Sequence, residues 1–235
     1  MYFPGSASAK FTMKFARTRI KFCGLTRAED VDIAVALGVD ALGFVFYPAS
    51  PRYLTTERAA QLVARVPPFV TTVGLFVDAP REQINAILDR VALQLLQFQG
   101  DEAENTCAGF RVRHMKAARV TPQIDLLEFE RLHRDASLLM LDAHSEGYGG
   151  AGKVFDWSLI PNQLIGPDAA RRVVLSGGLN AQNVADAIAR VRPYAVDVSS
   201  GIEHAKGIKD PDAMRRFVAA VRSADEQLSY SDSSS

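Results

Sequence analysis

Few side chains in this 235-residue chain combine reactivity with a position where an apolar run stops. Cys23 ends IKFC, and a thiol there serves as base or nucleophile once its pKa is lowered. Asp142 ends the apolar run LLMLD, where a carboxylate is costly unless it is solvated, paired or used as an acid. Asp197 ends YAVD, Gln97 to Gly100 end LLQFQG, and Arg52 follows Pro51 in the loop SPRY, offering a planar fork to an anionic group. Two further runs end in small residues, LSGGL at Leu175 to Leu179 and DVSSGIE at Asp197 to Glu203. Their free backbone N–H groups and missing bulk suit a phosphate held by main chain. The chemistry this set supports is proton transfer beside an anchored phosphate. Each member also has a plainer reading: a buried cysteine as a small hydrophobe, an aspartate as a helix cap, an arginine on the surface, glycines in tight turns.

These residues need elements that bring strand ends together. IKFCG alternates so that Lys21 and Cys23 share one face while Ile20 and Phe22 share the other. TRAEDVDIAVALG follows as a helix, with Thr26 as N-cap, Glu29 as its capping-box partner and Gly38 as its stop. ALGFVF, TTVGLFV, LLQFQG, HMKAARV, LLMLDA, RVVLSGG and YAVDVSSG continue the series of strands. Segments of helical length separate them, one starting near Thr55, another in PREQINAILDRV, a less regular one in PQIDLLEFERLHR, then NAQNVADAIARV and a last one around PDAMRRFVAAV. After the sixth strand HSEGYGGAGKVFDW is long, polar and glycine-rich, the composition of a mobile cover. About eight strand–helix units predict a single (β/α)8 barrel over residues 19–225, with an N-terminal extension over 1–18 and a polar tail over 226–235, disordered over its final SYSDSSS. Barrel sites lie at the C-terminal strand ends, and phosphates bind after strands seven and eight, which places all the candidates at one rim. Strand eight lies beside strand one in a closed barrel, so Asp197 is expected to pair with Lys21, whose residual field would favour Cys23 as thiolate.

Composition narrows the function classes. Lys plus Arg and Asp plus Glu each number 27, and no single-sign block suggests a polyanion or membrane surface, so the expected partner is a small molecule rather than nucleic acid or lipid. No apolar run reaches spanning length and the N-terminus lacks a secretory core, so a cytoplasmic location is expected. Cys23 and Cys107 read as free thiols, and His114, His133, His144 and His204 fit no metal spacing, so no metal is expected. Trp157, after Asp156 at a helix start, reads as a packing residue. Oligomeric state stays open between monomer and homodimer.

With those residues in place, KFCGLTRAEDV, ALGFVFYPASPRYLT, LLQFQGDE, LLMLDA, YGGAGKVFDW, LSGGLNAQNV and AVDVSSGIE, in this order, resemble the phosphoribosylanthranilate isomerase family of tryptophan biosynthesis. The resemblance implies a cofactor-free Amadori rearrangement, with Cys23 as general base and Asp142 as general acid. It also implies Arg52 at the anthranilate carboxylate, Asp197 near substrate hydroxyls, and Gly177, Gly178, Ser199, Ser200 and Gly201 as the phosphate cradle. One position departs: the family's usual QLHG reads Gln97, Phe98, Gln99, Gly100 here, so a substrate-side histidine becomes Gln99, which hydrogen-bonds but cannot become cationic. The rival readings are another phosphosugar barrel, such as a histidine-pathway isomerase or indole-glycerol-phosphate synthase, and a phosphate-binding barrel without catalysis.

Overall fold

The computed structural model describes residues 17–143, 154–166 and 172–233, with side chains as far as 229. Eight parallel strands close into a barrel in chain order: β1 (Arg19–Cys23), β2 (Ala41–Val45), β3 (Thr71–Phe76), β4 (Leu95–Phe98), β5 (Arg113–Val120), β6 (Leu138–Ala143), β7 (Val173–Leu175) and β8 (Ala195–Val198), which pairs back to β1. Around them lie α1 (Ala28–Ala36), α2 (Thr56–Val63), α3 (Arg81–Leu88), α4 (Glu104–Cys107), α5 (Leu126–Leu132), α6 (Val184–Val191) and α7 (Pro211–Ser233). A short antiparallel ribbon of β9 (Glu203–Ala205) and β10 (Ile208–Lys209) sits between β8 and α7.

The strands are apolar on both faces because both are covered. Ile20, Phe22, Phe44, Phe76 and Phe98 point outward into the core shared with the helices, while Val73, Met115, Ala117, Met140, Val174 and Ala195 fill the barrel interior. The two-residue period then carries the inward face up to the rim, so that Lys21 and Cys23, Gln97 and Gln99, and Met140 and Asp142 are stacked pairs. Lys21 stands in register with Asp197 across the β1–β8 seam.

Several expectations need correction. Thr26 does not cap α1: Arg27 holds that position without a side-chain bond, and Thr26 Oγ1 donates to the Gly207 carbonyl at 2.5 Å, because the turn of the β9–β10 ribbon packs against the β1–α1 loop. Thr55, by contrast, caps α2 by accepting from the Arg58 N–H, and Gly38 follows α1 at φ 70°. The repeat is also less regular than its strands. α4 is a single turn, and the described residues between β6 and β7 form only two 3-10 turns, Trp157–Leu159 and Asn162–Leu164, since the prolines and glycine of PNQLIGP break a longer helix. Trp157 packs against the main core, as expected of a packing residue. Residues 144–153 of the glycine-rich stretch, with His144, lie outside the described residues.

The polar tail expected from residue 226 is part of the last helix, since α7 continues to Ser233, into the stretch SYSDSSS expected to be disordered. Ala224 is buried, Leu228 packs on the core, and Asp225 accepts from the Thr18 N–H at 2.8 Å and from Thr18 Oγ1 at 2.6 Å. The same contacts draw residues 17 and 18 out of the expected extension, with Arg17 bound to Asp40 through both terminal nitrogens. Residues 1–16 and 234–235 lie outside the described residues. Among the described residues no helix is long and apolar enough to cross a membrane.

Asp225 thus ties the last helix to the first strand. Asp225→Ala leaves the Thr18 donors without their acceptor, and its expected cost in urea denaturation is about 1–3 kcal/mol. The neighbouring exposed Glu226→Ala serves as control and should change stability by less than about 0.5 kcal/mol.

Candidate active site

The C-terminal ends of the strands enclose a cleft of about 630 Å³. Of the residues to which the family resemblance gives a site role, all but Gly201 line it: Cys23, Arg52, Gln99, Asp142, Gly177, Gly178, Asp197, Ser199 and Ser200. Cys23 on β1 and Asp142 on β6 face this cleft with β7 and β8 between them on one side and β2 to β5 on the other.

Beneath Cys23, Lys21 Nζ meets Asp197 Oδ1 at 2.6 Å, both side chains almost wholly buried. Burial alone would neutralise the lysine, but Asp197 and the Cys23 sulfur together raise its pKa, so it stays cationic. The expected pairing is therefore present, yet its expected consequence is not. Burial pushes the Cys23 thiol up; Lys21 and Lys209 pull it down, Asp197 pushes it up again, and the net direction is upward, toward the neutral thiol. Lys21 is largely spent on Asp197. Gly43 makes this crowding possible, since a Cβ there would come within 2.9 Å of the Cys23 sulfur and 3.2 Å of Lys21 Nζ.

Asp142 is tuned in the direction an acid needs. Burial first, and the Asp197 carboxylate second, raise its pKa to about 6, against hydrogen bonds from the Ala143 N–H, Gln99 and Ser176 that favour the carboxylate. Gln99 Nε2 donates to Asp142 Oδ2 at 2.8 Å and Gln97 Nε2 donates to Gln99 Oε1 at 2.7 Å. Gln99 is thus bound to the acid rather than left free for a ligand. Ser176 Oγ, at the end of β7, donates to Asp197 Oδ2 at 3.1 Å.

Arg52 lines the cleft, but its fork is already occupied: Nε and Nη2 donate to the two Glu203 oxygens, each at 2.7 Å. Only Nη1 lies outside that pair, which corrects the picture of a free guanidinium at the mouth. Glu203 also accepts from Lys209 Nζ at 2.8 Å, and the same ammonium donates to the carbonyls of Cys23 at 2.6 Å and Ser199 at 3.1 Å. Lys209 therefore staples the end of β1 to the loop after β8. Sequence reading missed it, because an isolated lysine in GIKD carries no pattern. Glu203, inside the quoted DVSSGIE, and Ser176, inside LSGGL, were visible but given no role.

The glycine and serine loops differ in their parts. Gly177 has φ 85° and Gly178 φ 64°, and a Cβ on Gly177 would stand 2.4 Å from the Ala143 nitrogen, so only glycine lets this loop cross the end of β6. Ser199 spends its hydroxyl on the Cys23 carbonyl at 3.0 Å, leaving main chain to face the cleft. Gly201 packs instead against Leu179, whose carbonyl oxygen a Cβ would reach at 2.0 Å, so it serves by letting the two loops touch. Both cysteines are free and buried. His114 meets Phe98 edge-on and His133 packs on Phe129, structural roles both, while His204 is exposed.

Raising a carboxyl pKa on folding costs stability where the group must ionise. For Asp142 the cost is absent below about pH 4, grows through about pH 6 and is full above it, amounting to about 3 kcal/mol on the shift to about 6. Asp142→Asn should therefore be more stable than the wild type at pH 8, by up to that amount, and indistinguishable at pH 4. Paired urea titrations at the two pH values check this; equal stabilities at pH 8 would refute it.

Comparison with known proteins converges on one family. The sequence model described as N-(5'phosphoribosyl)anthranilate (PRA) isomerase matches residues 20–220. An N-(5'-phosphoribosyl)anthranilate isomerase of Ralstonia nicotianae is 57% identical over 227 residues, spanning 93% of this chain and 99% of its own. The crystal structure of phosphoribosyl anthranilate isomerase from Thermotoga maritima superposes with a TM-score of 0.79 at 41% identity, covering 88% of this chain and 99% of its own. Another solved phosphoribosyl anthranilate isomerase, in complex with reduced 1-(o-carboxyphenylamino)-1-deoxyribulose 5-phosphate, superposes with a TM-score of 0.75 at 39% identity and covers 88% of this chain and 99% of its own. The chain, from the first barrel strand into the last helix, belongs to the phosphoribosylanthranilate isomerase family.

Proposed function

We propose that Asp142 and Cys23 divide the acid and base work of the isomerisation this chain carries out, N-(5-phosphoribosyl)anthranilate to 1-(2-carboxyphenylamino)-1-deoxyribulose 5-phosphate. The observation that carries the assignment is the shared cleft, with a carboxyl raised to about 6 on one wall and a thiol on the other. Asp142 delivers its proton to the furanose oxygen as the C1–O bond breaks, and the anthranilate nitrogen lone pair forms the C1=N bond of an iminium. That cation acidifies the C2 hydrogen. Cys23, as thiolate, removes it, and the electrons of the C2–H bond form C1=C2 while those of C1=N return to nitrogen. The resulting enolamine takes a proton at C1 and loses one from its C2 hydroxyl to give the ketone.

Main-chain N–H groups of the loops after β7 and β8, at Gly177, Gly178, Ser199 and Ser200, suit the phosphate, and Asp197 suits a substrate hydroxyl while holding Lys21. Arg52 Nη1 remains for the anthranilate carboxylate once Nε and Nη2 are bound to Glu203. The other phosphosugar barrels need paired aspartates on opposite strands, or catalytic lysines and glutamates; the family match sets them aside. We read the working protein as cytoplasmic and as a monomer or homodimer. One structural relative, from T. maritima, is described as monomers generated from a dimeric phosphoribosylanthranilate isomerase, with a TM-score of 0.76 at 38% identity and coverage of 87% of this chain and 98% of its own.

The two groups titrate in an order that shapes the pH profile. With Asp142 near 6 and Cys23 raised, the resting site between the two pKa values holds a carboxylate and a thiol. The competent form, with the proton on the carboxyl and the sulfur ionised, is there a constant minority, and it declines outside that interval. Accordingly kcat/KM should fall below about pH 6, stay flat above it, and fall again only in the alkaline range. Anthranilate fluorescence follows turnover directly. Cys23→Ala and Asp142→Asn should each lower kcat by about 10²-fold or more. Turnover at near wild-type rate in either variant would remove that residue from its role, and a wild-type protein that binds the reduced product analogue without turnover would instead be a non-catalytic phosphate-binding barrel.

A further inference from the structure

Gln97 is 1% exposed, lines the cleft, and has an Oε1 atom with no hydrogen-bond partner among the described residues. Its polarity is dictated from the other end of a short chain. A carboxylate at Asp142 only accepts, so Gln99 turns its NH2 toward Oδ2 at 2.8 Å and its own oxygen toward Gln97. Gln97 must then offer Nε2 to Gln99 at 2.7 Å, with a weak second contact to Met140 Sδ at 3.2 Å. The carbonyl oxygen at the end of the chain is left with nothing. A buried acceptor without a donor lowers stability, and such groups in native folds call for a functional reason. Gln97 lies one inward step below Gln99, and Met140 one inward step below Asp142, so the orphan belongs to the floor of the cleft.

We propose that Gln97 is a substrate-binding and positioning residue: Oε1 accepts a hydrogen bond from an amine N–H or hydroxyl on the substrate's carbon chain, while Nε2 holds Gln99 and, through it, the Asp142 carboxyl. This rests on the assignment of Asp142 as the acid. The ligand supplies the donor that the protein does not offer Oε1 among its described residues, so the residue costs stability in the free protein and returns affinity on binding.

Gln97→Met keeps the side chain's length and removes both polar ends, and the test sets its stability against its affinity. Titration with reduced 1-(o-carboxyphenylamino)-1-deoxyribulose 5-phosphate, read by fluorescence, should show binding weaker by roughly tenfold to a hundredfold. Since the substitution trades one unpaired buried oxygen, Gln97 Oε1, for another, Gln99 Oε1, the Tm of the ligand-free variant should stay close to that of the wild type. Unchanged affinity, or a Tm several degrees lower, overturns the proposal, because a merely structural amide would weaken the fold when replaced. Ribulose 5-phosphate, titrated in parallel, identifies the donor: a loss seen with both ligands assigns a sugar hydroxyl, and one confined to the arylamine assigns the amine N–H. Failure of the acid assignment is read separately, as turnover that survives Asp142→Asn.

Discussion

One buried ion pair governs the interior of this barrel. Lys21 and Asp197 meet at 2.6 Å where β8 closes on β1, both side chains almost wholly buried. Such a pair adds little net stability, since desolvation offsets most of the attraction, yet removing either partner leaves a naked charge in the core. Its value lies in the field it sets for its neighbours. Asp197 disfavours a second negative charge across the end of β7 and so helps to keep the Asp142 proton in place, while Lys21 reaches the Cys23 sulfur without surrendering its own partner. Removing Asp197 would release Lys21 toward the thiol and relax Asp142 at once. Asp142 and Cys23 are thus coupled through Asp197, which touches the electrostatics of both.

A second set of charges fixes backbone. Arg52, Glu203 and Lys209 form one buried chain, and Lys209 ends it on the carbonyls of Cys23 and Ser199. A lysine bonding two main-chain oxygens from different strand ends acts as a rivet. It holds the Cys23 end of β1 against the loop after β8. The close contact of Gly201 with Leu179 does the same between the loops after β7 and β8. Proton transfer needs the reacting atoms within hydrogen-bond reach, and both devices restrict the motion that would spoil it.

What could be read in advance follows the range of the forces involved. Strand alternation is local, so the inward face of Lys21 and Cys23 was legible, and barrel closure then made Asp197 the partner of Lys21. The Gly–Ser ends of the last two strands were legible for the same reason. Contacts across large separations were not: the Arg52–Glu203 pair spans 151 positions, the Thr26–Gly207 bond 181, and the Thr18–Asp225 bonds 207. Thr26 followed by Glu29 satisfies every local rule for a capping box, and a distant carbonyl still won the hydroxyl. The thiolate expectation failed for a related reason. The charges around Cys23 were anticipated, but its burial, the largest influence on the thiol, is a property of the whole packed rim.

The glutamine at position 99 makes sense in this electrostatic setting. An imidazole hydrogen-bonded to Asp142 could take up a proton in the pH range where the acid itself titrates, and the resulting cation would draw the carboxyl pKa down. Gln99 donates a hydrogen bond at 2.8 Å but carries no charge in any state, so its pull on Asp142 is that of a dipole and ranks below burial and Asp197. An amide also has one donating and one accepting end, which lets it pass a fixed polarity to Gln97, whereas a doubly protonated ring would donate at both. A neutral amide therefore leaves the Asp142 carboxyl easier to protonate than a cationic ring would, and links it to Gln97 at the floor of the cleft. The departure at residue 99 changes what hydrogen-bonds to Asp142 and leaves Asp142 and Cys23 themselves in place.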